Sequence, residues 1–340
     1  MLPSSSPSSI TKSHLVLALS GLTSAYIAVA RPTLSRANHG SASPPATLFE
    51  AGTSPALPAS RLAIFRASLA IYIFAMGLTQ LLRLGPYVFK FYTIWNWWLL
   101  GLYFALAAAA SALCAKAERK VAAKAQSSVA PVHANGRAAA GGAAAPGSDP
   151  NADADAGSDA EVSGAVVLRA PSALSRACHA LFLINSSTVI IVDAVCWGVL
   201  YPMLSRGPQT PEIERIIKRL LLTFTSYNQH GLNALFIWAD LFLNRHRLAF
   251  HAVGPLGLWS LLFALWAHCW HAATGKWLYP FLDTSKPWAP AAYLGLYLVH
   301  WLAFGLVALL YRVKDAAYAR AERQRAESER LRAGKGGKAE

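Results

Sequence analysis

Long apolar stretches separated by short polar connections dominate the chain. Six stretches of roughly 20 residues carry few charges, at about 62–82, 91–113, 180–203, 222–243, 252–272 and 291–311. A helix rises about 1.5 Å per residue, so each stretch matches a hydrocarbon core of about 30 Å. The pattern predicts an all-α polytopic membrane protein, a bundle of six transmembrane helices.

The remaining segments differ in composition from this membrane domain, which we place at residues 61–312. Residues 1–60 are rich in Ser, Ala and Pro and predict a targeting or linker segment. Their apolar stretch at 15–30 leaves a further N-terminal helix open as the alternative. The insert at 115–178 has few large apolar side chains and predicts disorder. Residues 313–340 form a charged C-terminal tail that can continue as a polar helix.

Composition supports the membrane class and argues against nucleic-acid binding. The 340 residues are 54% hydrophobic and only 14% charged, whereas soluble domains carry roughly 25% charge. The net charge of +14 lies largely in loops and in the tail, where it follows the positive-inside rule. Lys and Arg concentrate on the side that holds the insert and the tail, which predicts cytosolic termini for the six-helix core. An endomembrane or plasma-membrane location fits this pattern.

The stretch 222–243 differs from the others because polar residues interrupt it. On a regular helix, spacings of i, i+4, i+7, i+11 and i+14 place one narrow stripe of side chains on a single face: Ser226, His230, Asn233, Ile237 and Asp240. Ionisable groups inside a bilayer are costly and usually face a protein interior or a watery cavity. The stripe is therefore a candidate functional site.

A hydroxyl on another helix is predicted to lie at the depth of this imidazole. Thr93 stands two residues into the second stretch, and His230 lies about eight residues into its own, both counted from the non-cytosolic side. Such a pair could serve as nucleophile and general base in covalent acyl transfer. The structural alternatives are a threonine bonded back to its own helix and a histidine that only links helices.

Other polar residues are candidates for supporting roles. Asp193 or Asp240 could orient the base, and the spacing does not choose between them; Asn96 and Asn233 could donate to an oxyanion. His271 forms an HxxH pair with His268, but the multi-histidine boxes of diiron enzymes are absent. We expect no metal and no cofactor. Aromatic residues could shape an acyl channel or form an interfacial belt: Trp95, Trp97, Trp98, Trp277 and Tyr279.

Four segments resemble the family of FAR-17a and androgen-induced gene 1 proteins. They are LWAHCWHAATGKWLYPFLD at 265–283, the histidine-to-acid interval at 230–240, YTIWNWW at 92–98 and CWGVLYPML at 196–204. The resemblance covers roughly residues 62–312 without the 115–175 insert.

The resemblance implies a membrane-embedded threonine hydrolase. The family's animal members cleave fatty acid esters of hydroxy fatty acids, and position implies Thr93 as the nucleophile and His230 as the base. The implied partners are the lipid bilayer and a fatty acid ester. The alternative is a non-enzymatic transporter or scaffold with an intramembrane relay through His230, Asp193 and Asp240.

Overall fold

The computed structural model describes residues 7–39, 46–128 and 171–336. Within them the chain consists of helices and connecting loops, with an isolated bridge between Thr47 and Pro171. The helices are α1 (Pro7–His39), α2 (Leu48–Gly52), α3 (Ala59–Leu84), α4 (Tyr92–Ser128), α5 (Ala173–Arg206), α6 (Pro211–Ile216), α7 (Phe224–Tyr227), α8 (Asn233–Leu243), α9 (Val253–Thr274) and α10 (Ala289–Gly336).

Six of the described helices are long and apolar enough to cross a membrane: α1, α3, α4, α5, α9 and α10. This confirms an all-α polytopic fold with six membrane-spanning helices. Their identity differs at one point from the prediction. The N-terminal stretch contributes a helix of this kind at Ser8–Val29, whereas the predicted stretch 222–243 does not form one continuous helix.

Local hydrogen bonding interrupts the stretch 222–243. Leu222 leaves the helical region, and the Thr223 side chain then accepts from the backbone N–H of Ser226, which caps the start of α7. A π-helical turn, Asn228–Leu232, joins α7 to α8. The regular stripe predicted for this stretch is therefore wrong, because a π turn changes which residues share a face.

Helix α1 packs on α9 and α10. Gly254 allows the close approach, since a Cβ atom there would come within 2.7 Å of the Ser24 carbonyl oxygen. Small residues at a helix interface let membrane helices approach closely, and dispersion contacts then stabilise the pair. The alternative of a further N-terminal helix thus agrees with the structure.

Two long helices run past their predicted ends. Helix α4 continues to Ser128, and α5 begins at Ala173. The prediction of disorder is therefore wrong for residues 115–128 and 173–178; residues 129–170 of the insert lie outside the described residues. Helix α10 continues through the charged tail to Gly336.

A fully buried ion pair lies in the half of the bundle away from the loops 85–91 and 275–288. Arg66 on α3 donates from Nε to Asp240 Oδ1 at 2.7 Å, and both side chains are 0% exposed. Asp240 also accepts from Tyr103 and from Asn244. Lys314 on α10 donates to Asn244 Oδ1 at 3.1 Å. We call these residues the Arg66 cluster; it links α3, α4, α8 and α10.

Candidate active site

The structure brings Thr93 and His230 together. Thr93 lies in the first turn of α4, and its Oγ1 is 3.4 Å from His230 Nε2. This distance is slightly longer than a strong hydrogen bond, and nucleophile–base contacts in enzymes without ligand are often loose. The His230 side chain is only 10% exposed. A hydroxyl and an imidazole from different helices therefore face each other inside the bundle.

The backbone around His230 is irregular in a way that aims the ring. His230 has φ −131° and ψ 32°, outside the helical region, within the π turn between α7 and α8. The indole N–H of Trp197 donates to the His230 carbonyl at 2.6 Å, so the oxygen keeps a partner despite the kink. Such π turns are frequent at functional sites. The kink and its indole donor hold the imidazole over the start of α4.

Asp193 is the carboxylate beside this imidazole. Its Oδ1 lies 4.0 Å from His230 Nδ1, on the ring edge opposite Thr93. Asn233 donates from Nδ2 to the same Oδ1 at 2.9 Å and fixes the carboxylate on α5. Thr93, His230 and Asp193 thus lie in the order nucleophile, base and carboxylate, but 4.0 Å is too long for a hydrogen bond, so Asp193 can act on the imidazole only through its charge. Sequence spacing left Asp193 and Asp240 open, and the structure places Asp193 at the site.

A cavity opens onto the Thr93–His230 pair. Its volume is about 140 Å³. Most of the wall is apolar, and it includes α1 side chains as well as α5, α9 and α10: Leu17, Val192, Val195, Leu261, Phe263 and Leu296. The cavity wall therefore suits an apolar part of a ligand.

Tyr279 lines the cavity from the loop between α9 and α10. It accepts a hydrogen bond from the backbone N–H of Tyr92 at 3.1 Å, next to Thr93. Burial raises the pKa of the Tyr279 hydroxyl well above its usual value, so the phenol stays neutral. Of the five aromatic residues considered for an acyl channel, Tyr279 lines the cavity, whereas Trp97 is buried and donates to the Ile73 carbonyl.

The remaining predicted residues have other partners than Thr93 and His230. Asn96 donates to the Tyr92 carbonyl and accepts from the Trp259 indole, which leaves it a structural role between α4 and α9. The Asn233 side chain donates a hydrogen bond to Asp193. Asp240 belongs to the Arg66 cluster, so the predicted grouping with His230 is wrong. His271 stacks on Trp277 with ring centroids 4.0 Å apart, outside the cavity wall.

Several contributors to this site were not predicted from the sequence. The Trp197 donor lies in a π-helical turn of α5, and the α1 wall comes from a segment assigned to targeting. No sequence motif marks Trp197 or the α1 side chains that line the cavity. The apolar composition of residues 15–30 was the one sequence feature that pointed to α1. Among the described residues, no group of three or more His, Cys, Asp or Glu side chains could hold a metal ion.

Comparison with known proteins adds no relative. No family model matches the chain, and no curated protein or solved structure matches it.

Proposed function

We propose that this protein is an integral membrane lipid-ester hydrolase with Thr93 as nucleophile and His230 as general base. The observation that carries the proposal is the 3.4 Å approach of Thr93 Oγ1 to His230 Nε2 at the wall of an apolar cavity. The resemblance to FAR-17a and androgen-induced gene 1 proteins assigns the same two positions and a fatty acid ester as substrate. No cofactor takes part.

The chemistry uses one imidazole twice. His230 Nε2 takes the proton of Thr93 as Oγ1 forms a bond to the ester carbonyl carbon. The ester C–O bond then breaks, and the protonated imidazole gives its proton to the leaving alcohol, which leaves an acyl-threonine. A water molecule gives a proton to His230 and attacks the acyl carbon. The bond from that carbon to Thr93 Oγ1 then breaks and His230 returns the proton to Oγ1, which releases the fatty acid and restores the threonine hydroxyl.

Asp193 supports the base in this scheme. The imidazole gains a positive charge each time it accepts a proton, and the carboxylate 4.0 Å from Nδ1 stabilises that charge. The carboxylate needs no proton of its own. The carboxylate stabilises the transition state, in which the imidazole is charged, so removing it should lower kcat.

The apolar cavity wall favours esters with a long acyl chain. Leu17, Leu261 and Leu296 line a space beside the reacting pair, and an acyl chain there is removed from water. The proposed substrate therefore enters from the bilayer, with its carbonyl carbon beside Thr93. A short soluble ester reaches the same pair without filling this space.

Hydrolysis of a long-chain p-nitrophenyl ester by the purified full chain tests the proposal. We expect Thr93→Ala and His230→Ala each to lower kcat by about 100-fold or more. Matched controls are Thr79→Ala, whose exposed hydroxyl bonds back to the Ala75 carbonyl, and His271→Ala, outside the cavity. Both should keep the wild-type rate. Wild-type activity in Thr93→Ala overturns the nucleophile, and an inactive wild-type chain favours the transporter or scaffold.

A further inference from the structure

A second hydroxyl and imidazole meet at the same cavity. Ser260 on α9 and His300 on α10 both line it, and Ser260 Oγ lies 2.6 Å from His300 Nε2. This contact is 0.8 Å shorter than the 3.4 Å between Thr93 and His230. The pair joins two helices that are distant from His230 in sequence.

Hydrogen bonds around His300 fix which nitrogen is the base. Its Nδ1 lies 2.5 Å from the Leu296 carbonyl oxygen. A carbonyl oxygen only accepts hydrogen bonds, so Nδ1 carries the proton. In the neutral ring, Nε2 therefore presents its lone pair to the Ser260 hydroxyl, which must donate. The arrangement needs no carboxylate to select this tautomer.

A third group completes the cluster. The Tyr92 hydroxyl lies 2.6 Å from Ser260 Oγ. Since the serine proton points toward His300, the phenol donates to the serine oxygen. Tyr92 precedes Thr93 in the first turn of α4, so two consecutive residues face the two hydroxyl–imidazole pairs.

We propose that Ser260 and His300 form a second nucleophile–base pair for acyl transfer, reacting with carbonyl esters that carry a long apolar chain. The geometry meets the requirement that nucleophile and base lie about 2.6–3.2 Å apart at a site a ligand can enter. The apolar wall that serves Thr93 also serves Ser260, because Phe263 and Leu296 come from the same two helices. This activity goes beyond the one assigned to Thr93. Because Thr93→Ala is expected to lower turnover of a long-chain ester by about 100-fold, acyl transfer at Ser260 should supply at most about one hundredth of the wild-type turnover.

The proposed acyl transfer at Ser260 needs no co-reactant except water. His300 Nε2 takes the Ser260 proton as Oγ bonds to the ester carbonyl carbon, and the leaving alcohol takes that proton when its C–O bond breaks. Water then hydrolyses the acyl-serine, with His300 again receiving and returning a proton. The Tyr92 phenol lies beside the attacking oxygen and is the candidate donor to the oxyanion.

Site-resolved labelling of the purified full chain tests this inference. The chain is treated with an alkyl fluorophosphonate, and the adduct is located by peptide mass spectrometry. We expect an adduct on Ser260 in the wild type that persists in Thr93→Ala and disappears in Ser260→Ala. His300→Gln should slow tagging of Ser260 by at least about tenfold, because a general base is lost. Ser20→Ala is the matched control: Ser20 lines the same cavity, but its hydroxyl bonds to the Val16 carbonyl at 2.7 Å.

Each outcome separates the two assignments. An adduct on Thr93 without one on Ser260 overturns the second pair and leaves the proposed function standing. An adduct on Ser260 alone supports the second pair and overturns Thr93 as nucleophile. An unmodified chain overturns both. Tagging of Ser260 at an unchanged rate in His300→Gln means that the imidazole does not act as its base, and the pair is then an interhelical contact only.

Discussion

Replacing Asp193 with asparagine tests how the proposed base is supported. The substitution keeps the shape of the side chain and a carbonyl oxygen for the Asn233 amide, which lies 2.9 Å away. What it removes is the negative charge 4.0 Å from His230 Nδ1. Two unit charges at this distance interact by about 4 kcal/mol at an effective dielectric constant of about 20.

That interaction exists only while His230 carries the transferred proton, so it acts on the transition state. A loss of about 4 kcal/mol corresponds to a fall in kcat of roughly 1,000-fold. KM should change little, since the ground state has a neutral imidazole. The assay is the steady-state hydrolysis of a long-chain p-nitrophenyl ester by the purified chain at fixed pH.

Asp283→Asn is the matched control, because Asp283 lies in the loop between α9 and α10 and bonds to Ser285. It should keep the wild-type kcat. A kcat for Asp193→Asn within about threefold of wild type would refute the electrostatic argument, because only about 0.7 kcal/mol would then separate the two chains. A fall in kcat with an unchanged unfolding temperature would support it.

Three further predictions follow from individual contacts. Thr93→Ser keeps a hydroxyl near His230 and should retain hydrolysis, whereas the isosteric Thr93→Val should lose it; equal rates would contradict the nucleophile. Asp240→Leu leaves Arg66 buried without its counter-charge and should destabilise the chain by about 3–5 kcal/mol, and the double variant Arg66→Met/Asp240→Leu should recover part of that loss. Thermal unfolding in detergent measures the effect, and an unchanged midpoint in Asp240→Leu would contradict it. Burial lowers the pKa of His246 well below its usual value, so stability that is present above about pH 6.5 is lost as the pH falls and the buried imidazole must take up a proton. The unfolding temperature should therefore drop less with acidification in His246→Gln than in the wild type. Identical pH profiles for the two chains would reject this.

Hydropathy predicted most of the bundle because a membrane helix leaves a strong one-dimensional signal. The predicted intervals near 62–82, 180–203, 252–272 and 291–311 all fall within long helices. The interval 222–243 is as long as the others, yet Thr223 caps a new helix and His230 leaves the helical region. Composition does not report where a side chain competes with the backbone for hydrogen bonds, so the break was not predicted.

Part of the site could be predicted for a related reason. Depth along each helix follows from the span boundaries, and this was enough to expect Thr93 and His230 near one another. The partner of His230 depends on rotation about the helix axis, which the π turn at Asn228–Leu232 changes. Regular spacing therefore grouped Asp240 with His230, although Asp240 contacts Arg66 and the carboxylate beside the imidazole is Asp193.

The Arg66 cluster and the reacting pair are linked through the same two helices. Tyr103 lies on α4, the helix that begins beside Thr93, and it donates to Asp240 on α8, the helix that follows the π turn carrying His230. Fixing α8 against α4 at Asp240 therefore limits how far the turn can move away from Thr93. Tyr103→Phe removes this donor without changing the ring, and the Arg66–Asp240 contact remains. If the linkage holds, hydrolysis should fall in Tyr103→Phe while the chain stays folded, because a small displacement of reacting groups is costly in rate.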